Sequence, residues 1–165
     1  MKRLSENKGF TLIEILIVIG IIAILAAIVL VAINPARQFA QAHNTQRVSN
    51  VNAILNAVGQ KLVDDKGSLK DCSTNIPQVD PVPNPLNGTT GKKITSAAGS
   101  ANVDLGCLTP IYIPALPFDP TDTGAFWADA TAYNTGYNIF KDVNGRITVF
   151  ASSTELGVQI ISVTR

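Results

Sequence analysis

From Ile15 to Ile33 the chain runs nineteen residues without a charge or a strongly polar side chain. A helix of that run spans about 28 Å at ~1.5 Å per residue, close to the hydrocarbon thickness of a bilayer. Asn34-Pro35 interrupts it, because the residue before a proline disfavours helical backbone. Two local solutions are open: a kink at Pro35, or a second helix with Asn34 as N-cap and Pro35 in its first position. From Ala36 to about Val63 the pattern becomes amphipathic. Val48, Val51, Leu55, Val58 and Leu62 recur at steps of three and four, one apolar stripe that leaves Gln46, Arg47, Asn50, Asn52, Asn56 and Gln60 on the other faces. Asp64-Asp65-Lys66-Gly67 ends this helix, with Gly67 suited to a left-handed cap.

Residues Lys66 to Gly106 are rich in Ser, Thr, Asn, Gly and Pro. Pro77, Pro81, Pro83 and Pro85 favour extended, solvated backbone, and Gly88 to Ser100 has loop composition. Four strand signals follow. Leu108 to Ile113 is bounded by Pro110 and Pro114; Tyr137 to Lys141 and Arg146 to Ala151 flank Asn144-Gly145; Val158 to Val163 comes last. Asn-Gly between alternating runs is the strongest short hairpin signal. The expected fold class is α+β: a long N-terminal helix packed on a small antiparallel sheet of about three to four strands. The boundaries are 10–34 for the apolar helix, 35–65 for its amphipathic continuation, 66–107 for a connecting loop region and 108–165 for the sheet.

Length and charge narrow this picture. The 165 residues leave room for one small domain beside the apolar segment. Net charge is +1, and only Lys92-Lys93 are adjacent basic residues beyond the N-terminal stretch. That argues against a dedicated nucleic-acid surface. Lys2, Arg3 and Lys8 against Glu6 keep the N-terminal end cytoplasmic and send the rest outward. Cys72 and Cys107 both fall in the outward part, which favours a disulfide over two free thiols. His43 is the single histidine and has no second ligand near it in sequence, so it reads as a solvated helix residue. No G-x-S-x-G, phosphate loop, CxxC or His-x-x-x-His occurs, and the chain reads as a substrate of enzymes, not as an enzyme.

Glu14 stands at the mouth of the apolar run. A charge at mid-membrane costs at least ~2.5–3.5 kcal/mol, so an acid there marks function and calls for a cationic partner. Lys8 or an α-amino group is the nearest candidate. Gly9-Phe10-Thr11-Leu12-Ile13-Glu14 followed by a membrane-length Ile/Val/Leu/Ala stretch resembles the class III signal of type IV pilins and type II secretion pseudopilins. The resemblance is close over Lys8 to Ile33 and extends with less detail to about Leu62.

The resemblance implies that residues 1–9 are a leader. A prepilin peptidase cuts between Gly9 and Phe10 and methylates the new amine of Phe10. It implies further that Glu14 pairs with the Phe10 amine of a neighbouring copy, and that Pro35 loosens the stem. The implied product is a homo-oligomeric helical filament built by an inner-membrane platform protein and an ATPase motor. The chain is then single-pass in the cell membrane before assembly and extracellular after it. Filament roles in adhesion, motility or DNA uptake, a pseudopilin of a type II secretion system, and a membrane-anchored adhesin or binding module all stay open. Major pseudopilins carry a calcium loop in the C-terminal half. Here Asp119, Asp122 and Asp129 offer carboxylates, while turn capping is the plainer reading and no cofactor is the expectation.

Overall fold

A computed structural model of the chain describes residues 9–69, 72, 76–78, 91–97, 99–158 and 160–165. Residues 1–8 of the expected leader, the prolines Pro81, Pro83 and Pro85, and much of the expected connector lie outside the described residues. The chain forms two compact units, with the boundary after Gln38.

In the first unit, α1 covers Leu12–Ala32. Thr11 caps it: the Glu14 N–H donates to Thr11 Oγ1 at 3.2 Å, and the Thr11 N–H donates back to Glu14 Oε2 at 3.4 Å. This reciprocal box satisfies two of the helix's unpaired amide donors. The helix stops as Ile33 turns extended (φ −97°, ψ 113°). A second helix, α2, runs Pro35–Asp64, and Asn34 Oδ1 accepts the Arg37 N–H at 3.2 Å. Of the two local solutions at Pro35, the chain takes the fresh start with Asn34 as cap.

In the second unit, α2 lies on a mixed sheet. The strands are β1 Lys92–Thr95, β2 Asn102–Val103, β3 Phe126–Asp129, β4 Ala132–Lys141, β5 Ile147–Ala151 and β6 Ile161–Thr164. Their order is β2-β1-β4-β5-β6, with β3 also paired to β4. The β1–β2 pair is parallel and the others antiparallel. The expected helix-on-sheet architecture is present, and the sheet is larger than expected. Two strands arise inside the 66–107 connector because Ile94 and Val103, both fully buried, anchor short β-forming runs within a Ser/Gly-rich stretch.

The Leu108–Ile113 strand does not form. Gly106–Leu108 is a 3-10 turn, and the Tyr112 and Ile113 amides both donate to the Leu108 carbonyl. Leu108 is driven into the core, while Pro110 lacks the amide a ladder needs. The last strand starts later than expected, at Ile161. The β4–β5 hairpin forms as its sequence demands. The Asp142 N–H donates to the Arg146 carbonyl at 2.9 Å, the Gly145 N–H to the Asp142 carbonyl at 3.0 Å, and Gly145 has φ 85°. A three-residue loop closing in a left-handed glycine is a favoured hairpin form.

The core joins Val51, Ile54, Leu55 and Val58 of α2 to Tyr137, Ile139, Ile147 and Val149 of the sheet. Each aliphatic side chain so buried stabilises by about 1.5–3 kcal/mol. The opposite sheet face is closed locally by Phe140 against Phe150, edge to face at 5.9 Å. Gly67 takes φ 91° after α2, its N–H donating to the Leu62 carbonyl. The stripe expected on α2 is rotated: Val48 is 45% exposed, whereas Arg47, Asn50 and Ile54 are buried.

Cys72 and Cys107 form a disulfide, with Cα atoms 5.2 Å apart and 35 residues between them in sequence. In the chain-entropy model such a loop is worth about 3.5–4 kcal/mol. Reduction is therefore expected to lower the stability of the full-length protein by that amount, read as a fall in the guanidinium midpoint at unchanged slope. An unchanged midpoint would remove the bond's stabilising role.

Candidate functional site

The N-terminal site is built by the helix start. Gly9 and Phe10 lie outside helical structure, and the Gly9–Phe10 bond sits just ahead of the Thr11 cap. Phe10 is 80% exposed, and a Cβ placed on Gly9 would meet no atom within 4 Å. A peptidase needs such non-helical, open backbone around the bond it cuts. From Leu12 to Val31 the helix has a mean hydropathy of 3.2 and buries none of its length. Its apolar side chains are exposed all round, from Leu12 to Val31. A helix apolar on every face belongs in lipid or among like helices. Glu14 is the one charge in that segment, and its carboxylate reaches back toward the Phe10 end of its own helix. Pro35 stands at the first position of α2.

A second constellation lies in the folded unit, centred on a residue placed on a polar face by sequence. Arg47 is fully buried. Its Nε donates to Asp119 Oδ2 at 2.8 Å and its Nη2 to Asp119 Oδ1 at 3.0 Å, a two-pronged pair. Nη1 donates to Asn44 Oδ1 at 2.8 Å and to Glu155 Oε2 at 3.0 Å, and Nη2 also reaches Thr121 Oγ1. Glu155 meets His43 Nδ1 at 3.0 Å. His43 is thus partly buried against an acid, not simply solvated. Beside it, Asn50 donates to the Phe118 carbonyl and to the Tyr137 hydroxyl. The signal for Arg47 was present: it shares a helix face with Val51, Ile54 and Val58, at steps of three and four.

Electrostatics follow the geometry. Burial pulls Arg47 down, but the hydrogen bonds it donates to Asp119 and Glu155 outweigh it and raise its pKa. Burial pushes Asp119 up, but Arg47 and the Thr121 and Asp122 amides hold it below its ordinary value. The Arg47 hydrogen bond likewise lowers Glu155. Groups lowered in the folded state contribute stability that is complete above the unfolded carboxylate range of about 3.9–4.3, and that is lost as pH falls through their folded values. The full-length protein is therefore expected to hold a flat Tm above about pH 5 and to lose it steeply below about pH 4. Asp119→Asn should flatten that acid limb; an unaltered limb would show that other carboxylates set it.

The three candidate calcium ligands have separate employments. Asp119 holds Arg47, Asp122 accepts from the Gly124 amide, and Asp129 accepts from the Thr131 amide and hydroxyl. Among the described residues no three His, Cys, Asp or Glu side chains converge at metal-ligand spacing.

No curated protein and no solved structure matches the chain. Residues 4–30 match the family model for the prokaryotic N-terminal methylation motif, so the chain carries the class III signal of type IV pilins and pseudopilins.

Proposed function

We propose that this chain is a structural subunit of a type IV pilus-like filament, inserted in the membrane by α1 and polymerised through it. The observation that carries this reading is the placement of Glu14. It is the only charge from Leu12 to Val31, on a helix with no apolar face covered, one turn after a non-helical Gly9–Phe10 bond. Cutting that bond frees an amine on Phe10. A carboxylate and an ammonium brought together in a dry core satisfy each other, whereas either alone is strongly destabilising. Methylation keeps the amine's positive charge, so the pairing survives it. The subunit contributes packing and charge matching, and the chemistry of processing belongs to a prepilin peptidase. A membrane platform protein and an ATPase motor would supply extraction from lipid.

The mass of the mature N-terminus tests this reading. The expected product begins at Phe10 and carries one extra methyl group. A mature chain that still begins at Met1 would leave a membrane-anchored module that never polymerises. A pseudopilin of a secretion machine shares the same signal; long surface fibres lost on deletion of the gene separate the pilus from it.

A further inference from the structure

The turn between β5 and β6 carries a side chain at odds with its backbone. The Val158 N–H donates to the Glu155 carbonyl at 3.3 Å. The two central residues, Leu156 and Gly157, have φ of 61° and 70°. Turns with two left-handed positions ordinarily place Asn, Asp or Gly there. Leu156 is instead a branched apolar residue, 50% exposed, with Val158 beside it 43% exposed. The base of the turn is fixed to α2. The Asn44 side chain donates to the Glu155 carbonyl at 2.9 Å and accepts the Glu155 N–H at 3.2 Å, while Arg47 and His43 hold the Glu155 carboxylate. Thr154 Oγ1 donates to the Val158 carbonyl. An apolar tip is thus held rigidly out in water, on backbone that disfavours it.

Further along α2 the molecule offers a matching hollow. Between the helix and the start of β5 lies a groove of about 430 Å³, lined by Leu55, Gly59, Leu62, Val63, Ile147 and Arg165 among others. Gly59 opens it, since a Cβ there would meet no atom within 4 Å. Val63 is 79% exposed on its wall. Glycine inside a helix is otherwise unfavourable, and here its missing side chain makes room.

Resting on the polymerising-subunit reading above, we propose that the Leu156–Val158 tip of one copy seats in the Gly59 groove of the next. Charge favours this occupant. Arg47 is shared by Asp119 and Glu155, two acids to one guanidinium, so the base of the tip keeps surplus negative charge. The segment from Ser152 to Thr164 has no Lys or Arg, while the groove lining includes Arg165 and no acid. The tip is anchored at residues 43–47, and the groove centres near Gly59. That offset is roughly 20 Å along the helix axis, so a chain cannot fill its own groove with its own tip. A protrusion and a hollow at different places on one molecule make a head-to-tail contact, which repeats openly along a filament.

The test uses full-length protein assembled in cells. A photoreactive p-benzoylphenylalanine at position 156 should crosslink to residues 55–63 of a second copy in purified fibres. Leu156→Asn suits the left-handed backbone and is expected to raise the Tm of the full-length chain in detergent, yet to cut fibre yield more than about tenfold, as loss of a central contact does. Gly59→Leu, which projects a side chain into the groove from a position where a Cβ meets no atom within 4 Å, should cut the yield similarly. If Leu156 serves no contact between copies, the same Leu156→Asn chain shows the raised Tm with undiminished fibres, so the yield and not the Tm decides. Fibres that form but crosslink elsewhere, or Leu156→Asn at wild-type yield, overturn the contact alone. A processed chain that forms no polymer of any kind overturns the contact together with the reading beneath it.

Discussion

Replacing Arg47 with leucine is expected to destabilise the folded unit by about 3–5 kcal/mol, the loss typical when one member of a buried ion pair is removed. Most of that loss comes from what remains. Asp119 is 2% exposed, and without Arg47 its donors among the described residues are the Thr121 and Asp122 amides and the Thr121 hydroxyl. A buried carboxylate without a counter-charge either protonates or opens its surroundings. For a domain of this size the change corresponds to a Tm lower by more than about 10 °C. Arg47→Lys should recover little, because one ammonium cannot make the two-pronged pair and also hold Glu155. The double change Arg47→Met with Asp119→Leu should recover much of the loss, since an apolar pair of similar volume often replaces a buried ion pair without penalty. Thermal unfolding of the full-length proteins checks all three. An Arg47→Leu chain within about 1 kcal/mol of wild type would show that the cluster is solvated and weak.

The second large effect concerns Glu14. Glu14→Val is expected to leave membrane insertion intact, because it removes the one charge from an apolar segment. Fibre yield should collapse, because each incoming copy would bring a Phe10 amine into the core without its counter-charge. Loss of the Thr11 capping box accompanies the change, and a lost cap costs only about 0.5–2 kcal/mol of helix stability. Glu14→Gln separates the two contributions: glutamine retains the cap but not the charge. Fibres from Glu14→Gln at wild-type yield would reduce Glu14 to a helix cap.

What sequence could reveal here depended on how local the determinant was. α1, its stop near Pro35, the Gly67 cap and the Asn144-Gly145 hairpin each follow from residues within a few positions of one another, and each stands where the pattern put it. The errors share a different origin. Arg47 reads as a surface residue until Asp119 and Glu155, 72 and 108 positions away, close over it. Ile111-Tyr112-Ile113 has strand composition, but Leu108 is claimed by the core and Tyr112 by Asp64 at 2.9 Å. β1 was hidden because one buried isoleucine gives no periodicity to detect. The N-terminal site was the most legible part, since the motif and its apolar run are contiguous in the chain. The groove beside Gly59 was the least legible, being a property of two elements that meet only in the folded unit.

The same long separations set a schedule for biosynthesis. Synthesis proceeds from the N-terminus, so α2 leaves the ribosome well before the acids that neutralise Arg47. Asp119 arrives first, and Glu155 follows 36 residues later (155 − 119). Until then the helix carries an unmatched guanidinium on the face that later becomes interior. A nascent or truncated chain ending before residue 119 should be a ready target for proteases, and one ending before 155 only partly shielded.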